Sequence, residues 1–158
     1  SSRRAPCWLA ELSWSASALH VLCRDEWIGW SEQAREENRN RVVCNSRFLI
    51  LPAVKVAHLA SHVLGLSARQ LPGDWAERYG QGPLLLETFV DHARLRCTCY
   101  RAANWRSVGW TQGRSRNDRA RNFAVPVKEV FVYPLRSDFR QRLQTEPPTL
   151  PSEPHRTR

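Results

Sequence analysis

The pattern of apolar and polar positions predicts a sheet covered by helices. Two short apolar runs, residues 47–51 and 84–90, are typical of strands buried on both faces of a sheet. Between them, apolar residues recur at helical spacing over residues 56–71, and Pro72-Gly73-Asp74 should end that helix. A strand, a crossover helix and a second strand in this order predict two parallel neighbouring strands with a right-handed connection.

The flanking segments predict shorter elements around this unit. Ser31 is a good N-cap for a polar surface helix over residues 32–40, anchored only by Val42 and Val43. The other expected elements are a strand over 8–14, a loop with two large rings over 24–30, helices over 75–79, 99–105 and 136–143, and strands over 107–111 and 127–133. The fold class is therefore α/β (α+β), with a single mixed sheet.

Composition adds a strongly basic surface. The chain of 158 residues has a formal net charge of +9, and Lys55 and Lys128 are its only lysines among 24 basic residues. Arginine suits phosphate groups, so nucleic acid is the expected partner. A coding bias toward arginine would also explain the excess of arginine over lysine, although not the surplus of base over acid.

Several classes of protein are disfavoured by what the sequence lacks. No apolar run approaches the length of a membrane span, so no membrane partner is expected. The five cysteines form no CxxC pair, which favours reduced thiols in a cytoplasmic protein. His58 and His62 have metal-ligand spacing, but Leu59 stands where a zinc peptidase needs glutamate and no third ligand is evident. Neither a metal nor another cofactor is expected.

Candidate acid–base chemistry lies at the end of the second central strand. Glu87 sits inside the apolar run and Asp91 follows it, at the edge where open α/β sheets collect ligands. Desolvation would raise the pKa of such a carboxylate and suit it to general acid or base catalysis. The alternative is a salt bridge from Glu87 to an arginine, such as Arg47 on the neighbouring strand.

Aromatic and basic residues are interleaved after this strand. Tyr100 joins Glu87 and Asp91 as a candidate catalytic residue, and Asn104 completes a predicted polar cleft. Aromatic faces among arginines are typical of single-strand binding, although a solvated loop would share this composition. The predicted nucleic-acid contacts are Arg47, Arg101, Asn104, Trp105, Arg106, Trp110, Arg114, Arg116 and Arg119.

Several of these blocks resemble the family of the Druantia anti-phage protein DruA. The blocks include Trp27-Ile28-Gly29-Trp30, Asn45-Ser46-Arg47-Phe48-Leu49-Ile50-Leu51-Pro52, Leu59-Ala60-Ser61-His62-Val63-Leu64, Leu86-Glu87-Thr88-Phe89-Val90-Asp91, Thr98-Cys99-Tyr100-Arg101-Ala102-Ala103-Asn104-Trp105 and Val130-Phe131-Val132-Tyr133-Pro134-Leu135. The resemblance implies a DruA-like domain over residues 23–143, after an incomplete N-terminal part at 1–22. Prolines without apolar periodicity predict a disordered tail at 144–158. Because the chain starts at Ser1 and lacks methionine, we expect a fragment of a longer protein.

The resemblance implies a role in bacterial defence or mobile elements, and leaves open whether the protein catalyses a reaction. Other defence or transposase subunits are the further partners it implies. The second half of the chain also resembles the fold of GNAT acetyltransferases, although residues 52–56 lack the glycines that hold coenzyme A in that family. We therefore favour action on or beside nucleic acid. A GNAT-like acyltransferase and a non-catalytic scaffold remain as alternatives.

Overall fold

In the described part of the chain, the strands form one mixed sheet with helices on both faces. The computed structural model describes residues 9–51, 54–93, 98–113 and 126–149. Its strands are β1 (Ala10–Ala16), β2 (Val42–Ile50), β3 (Leu85–Val90), β4 (Arg106–Trp110) and β5 (Glu129–Pro134). Its helices are α1 (Leu22–Ile28), α2 (Glu32–Asn38), α3 (Leu59–Tyr79), α4 (Thr98–Ala102) and α5 (Phe139–Leu143), with a 3₁₀ turn at Arg39–Arg41. This architecture confirms the predicted α+β class with a mixed sheet.

The strand order β1-β2-β3-β5-β4 places β3 at the centre of the sheet. Strands β2 and β3 are parallel, with Val42 opposite Leu85, whereas the other neighbouring strands are antiparallel. The predicted unit of two parallel strands joined through a helix is confirmed. Its carboxyl edge, where β3 ends, meets the start of β5 because Val90 lies opposite Glu129.

Alternation along β3 separates two apolar clusters. Leu86 and Val90 pack with Leu64 of α3 and Tyr100 of α4 on one face. Leu85 packs on the other face, with residues of α1 and α5. Because successive side chains of a strand point to opposite faces, the residues of β3 divide between two separate environments. This division decides which candidate functional residues can meet.

Of the segment predicted as a loop over residues 24–30, residues 24–28 belong to helix α1. Arg24 and Ile28 are its buried residues, so one apolar side chain supplied too weak a periodicity to predict the helix. Gly29 ends the helix in the left-handed region at φ 73°, and its N–H donates to the Asp25 carbonyl. The predicted N-cap of the next helix is confirmed, since the Ser31 hydroxyl accepts from Ala34 N–H.

Helix α3 continues through the residues expected to end it. Pro72 lies inside the helix, which reaches Tyr79 before Gly80 caps it at φ 81°. Proline removes one backbone hydrogen bond at this position, while Leu71 and Trp75 pack on the adjoining cluster on either side of it. Tertiary packing therefore outweighs the local cost, and the short second helix predicted over residues 75–79 is the end of α3.

The buried part of β2 lies earlier than the apolar run suggested. Val42, Val43 and Cys44 are buried, whereas Arg47 and Leu49 are exposed. Strand β3 pairs with β2 only from Val42 to Cys44, so the later residues of β2 pair with β1 alone. The prediction that residues 47–51 are buried on both faces is therefore wrong. Val42 and Val43, expected as a helix anchor, begin this strand instead.

Close backbone packing joins α1 to strand β4. Gly109 adopts φ 138° at a bulge in β4, and a Cβ there would lie 2.9 Å from Cys23 Cβ of α1. Further along the chain, the Gln144 amide donates to the Ile28 carbonyl of α1 over 2.8 Å, and the Asn38 amide of α2 donates to the Thr145 carbonyl over 2.7 Å. Among the described residues, no helix combines the length and apolarity needed to cross a bilayer.

Candidate functional site

Glu87, the strongest candidate acid or base, is enclosed against α1. Arg24 Nη1 donates to its Oε2 over 2.7 Å, and Ala18 N–H donates to its Oε1 over 3.0 Å. Both the Arg24 and the Glu87 side chains are fully buried. Arg24 also lies 3.0 Å from an Asp25 carboxylate oxygen, which in turn accepts from Trp30 Nε1. A buried cation thus links two carboxylates beneath the sheet.

The salt-bridge alternative for Glu87 holds with a different arginine. Arg47 is exposed and lies 3.7 Å from Glu11 on β1, so it is not the arginine that pairs with Glu87. The parallel register places Glu87 opposite Cys44, three residues before Arg47. Burial raises the pKa of Glu87, while the Arg24 charge and the hydrogen bond from Ala18 oppose the rise. Because this carboxylate is enclosed and paired, a structural role suits it better than proton transfer to a substrate.

Tyr100 lies on the opposite face of the sheet from Glu87. Its hydroxyl donates to Asn45 Oδ1 over 2.7 Å, and Thr88 donates to the Asn45 carbonyl over 2.9 Å. Tyr100 is buried in the cluster beneath α3 and α4, where it contacts Phe131. Glu87 and Tyr100 therefore cannot share a cleft. The expected polar cleft of Glu87, Asp91, Tyr100 and Asn104, with Arg47 beside it, is not formed.

Trp105, predicted as a stacking face, is also buried. It packs against Tyr100, Trp14 and Tyr133, with only 4% of its surface exposed. Its indole Nε1 has no hydrogen-bond partner among the described residues. An indole without an exposed face cannot stack on a base unless the domain opens. This placement therefore does not support the predicted nucleic-acid contact at Trp105.

Polar residues do gather where β3 ends. Glu129, buried at the start of β5, accepts from Arg101 Nη2 over 3.0 Å and lies 2.7 Å from His92 Nε2. The Trp110 ring is centred 4.8 Å from the His92 ring. Asp91 lies at the same strand end, where its Oδ1 accepts from Ala93 N–H. The structure thus brings the predicted residues Asp91, Arg101 and Trp110 to one edge of the sheet.

Two members of this cluster were not predicted from the sequence. His92 directly follows the candidate Asp91, and Glu129 opens the last apolar strand. Neither residue stands out in a motif, because their proximity depends on the antiparallel register of β3 and β5. Among the predicted residues, Arg106 lies elsewhere, because it begins β4 whereas Trp110 ends that strand.

A groove of about 360 Å³ opens beside Trp110, and we call it the Trp110 groove. Trp110 is 48% exposed, and Lys128 and His20 contribute cationic or polar groups. The described residues that line the groove include no carboxylate; they are Ala18, His20, Val21, Leu22, Phe89, Trp110, Thr111, Gln112, Gly113, Pro126 and Lys128. An aromatic face beside positive charge suits a planar, anionic ligand.

Three of the arginines predicted to contact nucleic acid are near the groove residues in the sequence, but the structure does not describe them. Arg114, Arg116 and Arg119 lie outside the described residues, between Gly113 and Pro126, which both line the Trp110 groove.

Within the described ranges, no three His, Cys, Asp or Glu side chains come together in a way that could hold a metal ion. Cys23, Cys44 and Cys99 are free thiols, and burial raises the pKa of Cys44 to about 12.

The fold and the site define an α+β protein with a mixed sheet. At one end of that sheet lie a polar cluster and a groove whose described lining has basic but no acidic side chains. The family model for the Druantia protein DruA matches residues 8–124, well over half of the chain. The chain belongs to the DruA family. No curated protein matches its sequence.

The chain also bears a weak structural resemblance to a solved structure. This is the crystal structure of a Sphaerobacter thermophilus protein provisionally described as an acetyltransferase, with 14% sequence identity and a TM-score of 0.32. The alignment covers 60% of this chain and 54% of that chain, so the present chain spans about half the length of that protein. A likeness of this extent carries no argument about acyl transfer.

Proposed function

We propose that this DruA-family chain serves anti-phage defence by binding unpaired nucleic acid at the Trp110 groove. Membership of the DruA family supports the defence role. The observation that carries the binding role is the indole of Trp110, which is 48% exposed at the groove. Lys128 and His20 also line the groove, and its described lining includes no carboxylate. Bases present flat faces that stack on such an indole whatever their sequence.

The surroundings of Trp110 suit the two parts of a nucleotide. A base would stack on the exposed part of the indole, which also contacts the His92 ring. Lys128 would meet phosphate from within the groove, and Arg101 would do so from the neighbouring cluster. Glu129 accepts from Arg101 and so neutralises part of its charge, which makes Lys128 the stronger electrostatic contact.

A double helix fits this arrangement less well than a single strand. Stacking on Trp110 requires a base whose face is accessible, and paired bases are covered by their neighbours. The proposal therefore expects tighter binding to single-stranded than to double-stranded DNA of the same length. It also leaves Glu87 and Tyr100 without a direct role, because both are buried and neither lines the groove.

The experiment that tests the binding role compares two exposed aromatic residues. Fluorescence anisotropy would measure binding of a labelled single-stranded oligonucleotide to the wild type, Trp110→Ala and Tyr79→Ala. Tyr79 is 56% exposed at the end of α3 and does not line the groove, so it controls for the loss of a surface ring. Since stacking contributes about 1–3 kcal/mol per base, Trp110→Ala should weaken binding roughly tenfold.

Tyr79→Ala should bind as the wild type does. Equal affinities for Trp110→Ala and Tyr79→Ala would remove the Trp110 groove from the proposal, and no binding by the wild type would remove the nucleic-acid role altogether. Far-ultraviolet circular dichroism on the same samples would show that both variants are folded.

A further inference from the structure

A second groove, on the other face of the sheet, has the chemistry of an anion site. It lies between α3 and the segment after α4, has a volume of about 420 Å³, and we call it the α3 groove. Its lining consists of His58, Ser61, His62, Gly65, Arg69, Ala102, Ala103, Asn104 and Tyr133. We propose that the α3 groove binds a phosphate monoester. This inference is independent of the function proposed for the Trp110 groove.

The helical wall presents its polar groups on one side. His58, at the N-cap, and then His62, Gly65 and Arg69 follow one another at intervals of three or four residues, so they form a stripe along α3. The spacing of His58 and His62 is compatible with a metal pair, but the sequence already disfavoured a metal here. With Arg69 on the same stripe and no carboxylate among the described lining residues, the groove instead favours a negatively charged ligand.

Four side chains of this groove have hydrogen-bond donors without a partner among the described residues. Among the described residues, the side chains of His58, His62, Arg69 and Asn104 make no hydrogen bond or ion pair. By contrast, Arg24, Arg35 and Arg101 each face a carboxylate. A guanidinium flanked by imidazoles and a carboxamide offers several donors to the three terminal oxygens of a phosphate monoester.

Backbone conformation points to the same place. His58 and Asn104, at φ 59° and 69°, are the non-glycine residues in the left-handed region among the described parts of the chain. Both line the α3 groove, one on each wall. Such conformations cost free energy and cluster at ligand sites. Here they position a residue on either side of the same opening.

Small residues keep the groove open. Gly65 lies within α3, where glycine disfavours the helix, yet a Cβ there would meet nothing nearer than Arg69 Nη2 at 4.0 Å. Packing therefore does not demand glycine at this position. Ala102 and Ala103 leave similar room on the facing wall. Space beneath Arg69 is what an inserted phosphate group would use.

The test uses the full chain and adenosine monophosphate as the phosphate monoester, with adenosine as the uncharged control. Isothermal titration calorimetry would compare the wild type, Arg69→Gln, Asn104→Gly and Arg78→Gln. Arg78 is an exposed arginine of the same helix outside the groove, and glycine at residue 104 retains the left-handed backbone while removing the amide. We expect adenosine monophosphate to bind and adenosine not to bind.

Arg69→Gln and Asn104→Gly should each weaken binding at least tenfold, and Arg78→Gln less than twofold. Equal binding of adenosine and adenosine monophosphate, no binding of either, or equal effects of Arg69→Gln and Arg78→Gln would each overturn the proposal. Two further probes distinguish the source of the phosphate. If a 5′-phosphorylated oligonucleotide binds more tightly than its 5′-hydroxyl form only when Arg69 is present, a nucleic-acid end supplies it; otherwise a free nucleotide does.

Discussion

At the scale of single residues, Arg24 connects helix α1 to the central strand β3. Its guanidinium faces both Glu87 on β3 and Asp25 on α1, and lies 5.8 Å from the Trp30 ring centroid. A buried ion pair offers little net stability over apolar residues, but removal of one partner leaves the other charge without compensation. The pair therefore fixes the position of α1 more than it adds free energy.

Glu87→Gln should lower the free energy of unfolding by about 3 kcal/mol, because Arg24 would keep its charge and lose a buried carboxylate. Urea unfolding followed by circular dichroism measures this change. Glu32→Gln is the matched control, since that side chain is 78% exposed and should change stability by no more than about 0.5 kcal/mol. Similar midpoints for the two variants would show that Asp25 alone compensates Arg24.

Residue types alone suggested part of this picture. Glu87 inside an apolar strand predicted either a catalytic group or a salt bridge, and the salt bridge is what the structure contains. Its partner could not be predicted, because Arg24 lies 63 residues away in a segment expected to be a loop. Distances across the chain depend on which elements pack together, and that information is absent from the pattern around either residue.

At the scale of elements, α3 shows how packing overrides local signals. Pro72 and Gly73 together suggested a break, yet the helix spans 21 residues across them. Leu64, Ala68 and Leu71 bury one side of the helix against the sheet. Burial of several apolar side chains contributes more free energy than the proline and glycine cost, so the helix continues to Gly80.

Gly73 within α3 and Gly80 at its C-cap both have free space around them, but they differ in backbone conformation. A Cβ at Gly73 or at Gly80 would meet nothing within 4 Å, but only Gly80 has a positive φ, at 81°. Gly73→Ala should therefore stabilise the protein by about 0.5–1 kcal/mol, since it removes freedom from the unfolded chain. Gly80→Ala should destabilise it by about 1 kcal/mol, because alanine is strained in the left-handed region.

Thermal unfolding of both glycine variants beside the wild type measures this difference. A fall in melting temperature for Gly73→Ala would contradict a continuous helix through Pro72. A rise for Gly80→Ala would contradict the left-handed cap at the end of α3.

At the scale of the whole molecule, charge and topology act together. The net charge of +9 favours general attraction to a polyanion, and the register of β3, β4 and β5 brings exposed donors together at one end of the sheet. Lys128 and Lys55 are the two lysines of the chain, and only Lys128 lines the Trp110 groove. This contrast separates general attraction from contact at a site.

The salt dependence of oligonucleotide binding should distinguish the two lysines. Each phosphate contact adds roughly one counterion to the slope of log affinity against log salt concentration, so Lys128→Gln should reduce the slope by about 1. Lys55→Gln removes the same charge and should leave the slope near that of the wild type. Identical slopes for the two variants, measured by anisotropy from low to physiological salt, would mean that the attraction is not localised at the groove.

The sequence by itself determined the α+β class, the parallel pairing of β2 with β3, the Ser31 cap and the family, because these depend on local patterns and motifs. Only the tertiary structure decided that Glu87 and Tyr100 lie on opposite faces, that Trp105 is buried, and that His92, Glu129 and Trp110 meet. The face to which a side chain points follows from register and from the helices that pack on each side of the sheet. Those contacts join residues far apart in the chain, so no local pattern contains them.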